Sequence, residues 1–283
     1  MTLDPMRRRS QPLMSLLLVG LLVVGVPGAL TSGADSRDEP TDLVSLMSTW
    51  LGSLGDALSI APSSAVGEGI VEPASDAPRL PRCRYRDRPT RYGEERHWRM
   101  TLLDTTRRLP ADYAPWDLVS VRRAGLAGSG RVRKFMLDDL RALASAARAK
   151  GKALAVRSAY RSYALQQATF DSWVRRAGYE QALLYSARAG HSEHQMGTAI
   201  DFTTAPGVPL TGTFGTSPAG KWLARNGWKY GFVLSYPKGK RRQSCYGYEP
   251  WHWRYVGREL AAEIHASGKV PRAFLWERFE TAP

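Results

Sequence analysis

The 283-residue sequence predicts an α+β fold. Stretches with helical periodicity are mixed irregularly with short strand-like alternations, not in the repeated strand–helix units of a doubly wound sheet. The composition, 43% hydrophobic and 23% charged, is that of a globular chain and excludes a collagen-like, coiled-coil or wholly disordered one. At about 150 residues per domain the length holds one or two domains, and a unit of about 200 residues makes a core without help from metal or disulfide. Two cysteines exclude a disulfide-dense scaffold and a four-cysteine zinc finger.

Arg7, Arg8 and Arg9 precede an apolar run over 13–30 that Pro27 and Gly28 interrupt, and Ser32-Gly33-Ala34 follows. Charge, apolar run and small residues in that order are those of a secretory signal, so 1–34 is assigned as a signal peptide. The rival is an uncleaved N-terminal membrane anchor, because the run is near the roughly 20 residues that span a bilayer. Either assignment puts the rest of the chain outside the cytoplasm. Residues 35–79 carry eight acids against Arg37 and Arg79 and are rich in Ser, Gly, Ala and Pro, the composition of a linker. Within it Leu43, Leu46, Met47, Trp50, Leu51, Leu54 and Leu58 fit one short amphipathic helix.

The globular part begins near Pro81. A helix is predicted over 132–149, with Phe135, Leu140, Leu143 and Ala147 on one face and Gly151 as its stop. A strand follows at 152–156, a second helix at 163–177 ended by Gly178, and a short third at 180–186. A strand at 198–202 precedes a helical turn at 222–226. Residues 232–236 and 251–255 are aromatic-rich strands. Helices at 257–266 and 272–279 complete the chain.

The formal net charge is +14, but residues 80–283 alone carry +18. So basic a domain calls for an anionic partner, either nucleic acid or an anionic cell surface. Export argues against nucleic acid.

Five histidines are present, and two stand beside carboxylates. His194 lies in Ser192-Glu193-His194-Gln195-Met196-Gly197-Thr198-Ala199-Ile200-Asp201. His252 lies in Glu249-Pro250-Trp251-His252-Trp253. Gly197 allows a sharp turn that brings the histidine towards the strand-end Asp201. Ile200 and Phe202 face away from Asp201 if the strand alternates, and a carboxylate between apolar neighbours needs neutralising, which a metal would do. Glu249 precedes a proline and is therefore extended. The turn at Pro250 must bring it to the side of His252, whose flanking tryptophans point away. Catalytic zinc takes three protein ligands and keeps a position for water. His194, Asp201 and His252 supply two nitrogens and an oxygen, and Glu249 stays free as general base on that water. His191 reads as a neighbour, not a ligand. His97 and His265 read as surface residues.

Ser158-Ala159-Tyr160-Arg161-Ser162-Tyr163-x-x-Gln166, Ser192-x-His194-x-x-Gly197-x-Ala199-x-Asp201 and Glu249-x-Trp251-His252 together resemble the zinc D-alanyl-D-alanine carboxypeptidases. The likeness is to the branch that includes the vancomycin-resistance D,D-carboxypeptidases. It covers about 102–256, including Leu109-Pro110-x-x-Tyr113-x-Pro115-x-Asp117-Leu118-Val119. The resemblance implies a small antiparallel sheet carrying the zinc site, flanked by helices, a fold shared with lysostaphin-type peptidases and the hedgehog signalling domain. It makes 80–283 the catalytic domain. It implies one zinc held by His194, Asp201 and His252, with Glu249 as base and Arg161 stabilising the oxyanion. Gln166 and Ser192 match residues that contact the terminal part of the substrate, and Tyr236 is placed on the pocket wall. His191 departs from many relatives and is expected to alter the pocket rim.

Cys83 and Cys245 are expected to bond in an oxidising compartment and to pin the loop carrying Glu249. The resulting expectation is a monomeric, penicillin-insensitive, exported zinc peptidase. Its substrate is the D-Ala-D-Ala end of peptidoglycan stem peptides in an anionic wall. The alternatives are an L,D-carboxypeptidase, a peptidoglycan endopeptidase, or a non-catalytic envelope-binding module. Glu249 and Arg161 argue for catalysis, since binding alone needs neither.

Overall fold

A five-stranded sheet organises the computed structural model, which describes residues 79–281. The signal or anchor assigned to 1–34, all but the last residue of the linker assigned to 35–79, and its amphipathic stretch lie outside the described residues. In chain order the elements are β1 (Arg88–Pro89), β2 (Arg107–Arg108), β3 (Leu118–Ser120), β4 (Ala127–Gly128), β5 (Arg131–Arg133) and α1 (Leu137–Ala149). Next come β6 (Ala155–Ser158), α2 (Tyr163–Ala177), α3 (Tyr179–Tyr185), β7 (Ala199–Thr203), α4 (Pro218–Asn226) and β8 (Phe232–Leu234). The last are α5 (Arg241–Ser244), β9 (His252–Tyr255), α6 (Arg258–Ser267) and α7 (Pro271–Leu275), which continues as a π-helical turn Trp276–Glu280.

The main sheet has the order β4-β6-β7-β9-β8. It is not wholly antiparallel as expected: β4 pairs with β6 in parallel, and the other three pairings are antiparallel. Alternation gives it two different faces. Ile200 and Phe202 of β7 and Trp253 and Tyr255 of β9 point into one buried cluster with Leu140, Leu143 and Ala147 of α1. Asp201, His252 and Arg254 point the other way and are buried without being apolar. At about 25 cal/mol per Å² of apolar surface, the α1 side is the main source of stability, leaving the opposite face for polar side chains. A second cluster packs Leu260, Ala261 and Ile264 of α6 and Leu275 of α7 on Val233 and Val256.

The helix predicted from Val132 starts only at Leu137. Val132 is fully buried, paired with Val119 across β3 and β5, so its apolar side chain serves a strand. Phe135 leaves the predicted buried face and stacks on Trp98 at 4.5 Å. Helix α4 is longer than predicted, because Ser217 accepts a bond from Gly220 N and Pro218 takes the first-turn position. Strands β1 to β5, all of two or three residues, were too short to show periodicity.

Candidate metal centre and its pocket

Asp201 and His252 face each other directly across β7 and β9, and Ser158 of β6 is opposite Asp201 on the other side. His194 reaches them from a 3-10 turn, Glu193–Met196. Ser192 Oγ accepts from His194 N at 3.4 Å to start that turn. Gly197 ends it with φ 70°, where a Cβ would lie 2.9 Å from Leu118 Cδ2, so both backbone angle and space call for glycine. One ligand atom from each of His194, Asp201 and His252 lies within 4.8 Å of the others.

The residues fit a metal. His194 Nδ1 donates to Ala159 O at 2.6 Å, which leaves Nε2 as the bare nitrogen. That buried Nε2 lies 3.2 Å from Asp201 Oδ2 but makes no hydrogen bond. His252 Nε2 donates to Glu193 Oε2 at 2.9 Å, which turns Nδ1 towards Asp201 Oδ1 at 3.1 Å. Two imidazole nitrogens and a carboxylate oxygen thus converge, each ring oriented from behind. Burial pushes His194 below its ordinary range, with Arg161 adding to the effect. Burial would do the same to His252, but hydrogen bonds to Asp201 and Glu193 outweigh it and raise that ring. Burial raises Asp201 too, and the two histidines overcome it and hold the carboxylate ionised.

Glu249 is held by backbone: its N–H donates to Tyr236 O at 3.1 Å, and its carbonyl accepts from His252 N at 3.0 Å. The turn at Pro250 thus brings base and ligand to one side. Burial lifts the Glu249 carboxyl to about 7, with Asp201 adding and His252 and Arg161 opposing. Arg161 precedes helix α2, and its N–H donates to His194 O at 3.2 Å. Its guanidinium makes no ion pair or hydrogen bond among the described residues, and its Nε is buried.

These groups line one cleft of about 820 Å³, together with Gln166, Ser192 and Tyr236. Tyr236 lies against His252, ring centres 4.8 Å apart. Gln166 Nε2 donates to Ala187 O at 2.6 Å, so the amide nitrogen braces the turn after α3, while the buried Oε1 has no partner among the described residues. Trp253 is in the core as expected, and Trp251, which precedes β9, packs partly against the same core while also lining the cleft. His191 is not at the rim: its Nδ1 meets Asp104 O at 2.7 Å and its Nε2 meets Asp87 Oδ1 at 2.9 Å, away from the cleft. Cys83 and Cys245 are bonded, with Cα atoms 5.3 Å apart. Cys245 opens the segment that runs through Tyr246 and Tyr248 to Glu249.

Glu193 carried no role in the sequence reading. It is buried at the start of its turn and accepts three hydrogen bonds, from Ser235 Oγ at 2.6 Å, His252 Nε2 at 2.9 Å and Arg254 Nη1 at 3.2 Å. Burial works against its charge, but His252, Arg254 and Ser235 together hold it well below the usual range. Its partners lie 42 to 61 residues away, so no local spacing could have exposed it.

The sequence model of the D-alanyl-D-alanine carboxypeptidase family VanY matches residues 129–258. A putative carboxypeptidase YodJ of Bacillus subtilis is 38% identical over 170 residues, 58% of this chain and 62% of the relative. The chain thus spans less than two thirds of that relative. A D-alanyl-D-alanine carboxypeptidase of Enterococcus faecalis is 33% identical over 192 residues, 65% of this chain and 68% of the relative. Among solved structures, the LdcB LD-carboxypeptidase superposes with TM-score 0.57 and 35% identity, covering 62% of this chain and 85% of that one. A mutant of the vancomycin-resistance D,D-pentapeptidase VanY in complex with Zn(II) gives TM-score 0.54 and 30% identity over 63% of this chain and 99% of that one. VanYB in complex with D-alanine-D-alanine gives 0.55 and 30% over 64% and 99%.

Proposed function

The chain belongs to the zinc D-alanyl-D-alanine carboxypeptidase family, and on that premise we propose that it removes the terminal D-alanine from peptidoglycan stem peptides outside the cytoplasm. One observation carries the reading. A nitrogen–nitrogen–oxygen triad, a half-buried carboxyl poised near neutrality and an uncommitted guanidinium line a single cleft.

His194 Nε2, His252 Nδ1 and an Asp201 oxygen would hold zinc. Zinc, when bound, supplies a Lewis acid that acidifies water and polarises a carbonyl. Glu249 takes the proton from the attacking water. The water oxygen bonds to the carbonyl carbon, the C–N bond breaks, and Glu249 returns the proton to the leaving amine. Arg161 opposes the negative charge that grows on the carbonyl oxygen, and with no ion-pair partner among the described residues it is free to do so. Ser192, Tyr236 and the free Gln166 Oε1 hold the terminal residue. The catalytic domain is residues 80–283, working as a monomer on an anionic wall, with 1–34 exporting or anchoring it and 35–79 as a linker. Nucleic acid has no part in this.

The L,D-carboxypeptidase reading stays beside it because LdcB, an LD-carboxypeptidase, is among the similar structures. Mass spectrometry of wall pentapeptides and tetrapeptides after incubation with the protein names the bond cut. Loss of one D-alanine from the pentapeptide, blocked by a chelator and untouched by penicillin, is the expected result. Loss from the tetrapeptide alone favours the L,D reading, and no loss from either refutes both.

A further inference from the structure

Strand β6 contains a fault in its register. Ala155 pairs with Thr203 and Val156 with Phe202, but Ser158, not Arg157, pairs with Asp201. Arg157 is the extra residue of a β-bulge, the device that re-aims a side chain beside a site. In a regular strand Arg157 and Ser158 would point to opposite faces. Here both line the cleft of the metal centre. Arg157 is exposed, and its guanidinium has no hydrogen bond, ion pair or ring contact among the described residues. The two carboxylates that line the same cleft are already assigned, Asp201 to the metal and Glu249 to the proton.

Position within the cleft decides what this charge meets. Ser192, Gln166 and Tyr236 are buried, and a chain end can stop among them. The rest of a peptide substrate must leave through the mouth, where Arg157 stands exposed. Building on the carboxypeptidase reading, we propose that Arg157 is a specificity residue: it pairs with a free carboxylate on the substrate upstream of the D-Ala-D-Ala end. A stem peptide offers two such groups, the α-carboxylate of a γ-linked glutamate at its second residue and the distal carboxylate of a diamino dicarboxylic acid at its third.

The test uses three pentapeptides with D-Ala-D-Ala ends: one with both carboxylates free, one amidated at the second residue and one amidated at the third. D-alanine release is measured with wild type, Arg157→Gln and Arg157→Lys. Binding is measured by calorimetry in Glu249→Gln and in Glu249→Gln with Arg157→Gln. A charge-assisted bond lost from a solvent-facing site is expected to change kcat/KM by about 10- to 100-fold. Wild type should prefer the free peptide to one of the amidated forms by that factor, mainly in KM, and the form that suffers identifies the carboxylate. Arg157→Gln should bring the preference near unity, and Arg157→Lys should restore part of it. A preference that survives in Arg157→Gln, or none in wild type, overturns the assignment. If wild type releases D-alanine from none of the peptides, the carboxypeptidase reading fails. The acid-over-amide binding ratio, and its collapse without Arg157, then decides this inference separately.

Discussion

At the scale of single residues, the candidate metal centre depends on groups outside its triad. Glu193 fixes which nitrogen of His252 faces Asp201, and Ala159 O does the same for His194. Loss of such an orienting partner typically costs about 10- to 100-fold in metal affinity. Glu193→Gln is therefore expected to weaken zinc by that factor, read by competition with a chromogenic chelator, while circular dichroism stays that of wild type. Equal zinc affinity in the variant would remove Glu193 from the site. Glu249 allows a pH prediction. Its protonated form cannot accept a proton, so kcat/KM should fall as pH drops through its pKa. Burial, opposed in part by His252 and Arg161, leaves that pKa at about 7, and a bound zinc charge would lower it, so the acid limb is expected at or below about pH 7. Glu249→Gln should lose at least about 100-fold in kcat and keep its zinc. The candidate ligands and base were legible because their motifs are short and local; Glu193 was not, because its partners come from β9 and from Ser235 just after β8.

At the scale of elements, two turns and a covalent link place the chemistry. The glycine-terminated 3-10 turn presents His194, and the proline turn presents Glu249 beside His252. The Cys83–Cys245 bond closes a separation of 162 residues and ends where the segment leading to Glu249 begins. In the chain-entropy model such a loop contributes up to roughly 5 kcal/mol. The double variant Cys83→Ser, Cys245→Ser is expected to lose about 2–5 kcal/mol in denaturant unfolding and to lose D-alanine release more steeply than zinc. Unchanged unfolding would show that the bond does not constrain the chain. The helix boundary at 132–137 was misread for a physical reason. A buried Val132 fits helical periodicity as well as a strand, and only its pairing with Val119 selects the strand.

At the scale of the whole molecule, the charge of residues 80–283 is large and positive, and much of it is on exposed arginines and lysines. Exposed charges are screened within about 8 Å at physiological salt. Binding of the full chain to isolated cell walls is therefore expected to weaken steadily as sodium chloride rises from 50 to about 500 mM, read by co-sedimentation. Salt-independent binding would mean that net charge does not drive the association. Among the described residues no helix is long and apolar enough to cross a membrane.

The fold class, the candidate ligand triad, the candidate base and the cysteine pair were readable along the chain, because each is carried by a residue type in a short motif or by a count. The tertiary structure decided what depends on partners far along the chain. It made the sheet mixed, turned His191 from the rim to Asp87, set Glu193 behind His252 and moved Arg157 into the cleft by one inserted residue in β6. Hydrogen bonding and register act between strands that the sequence separates by tens of residues, so no local pattern records them.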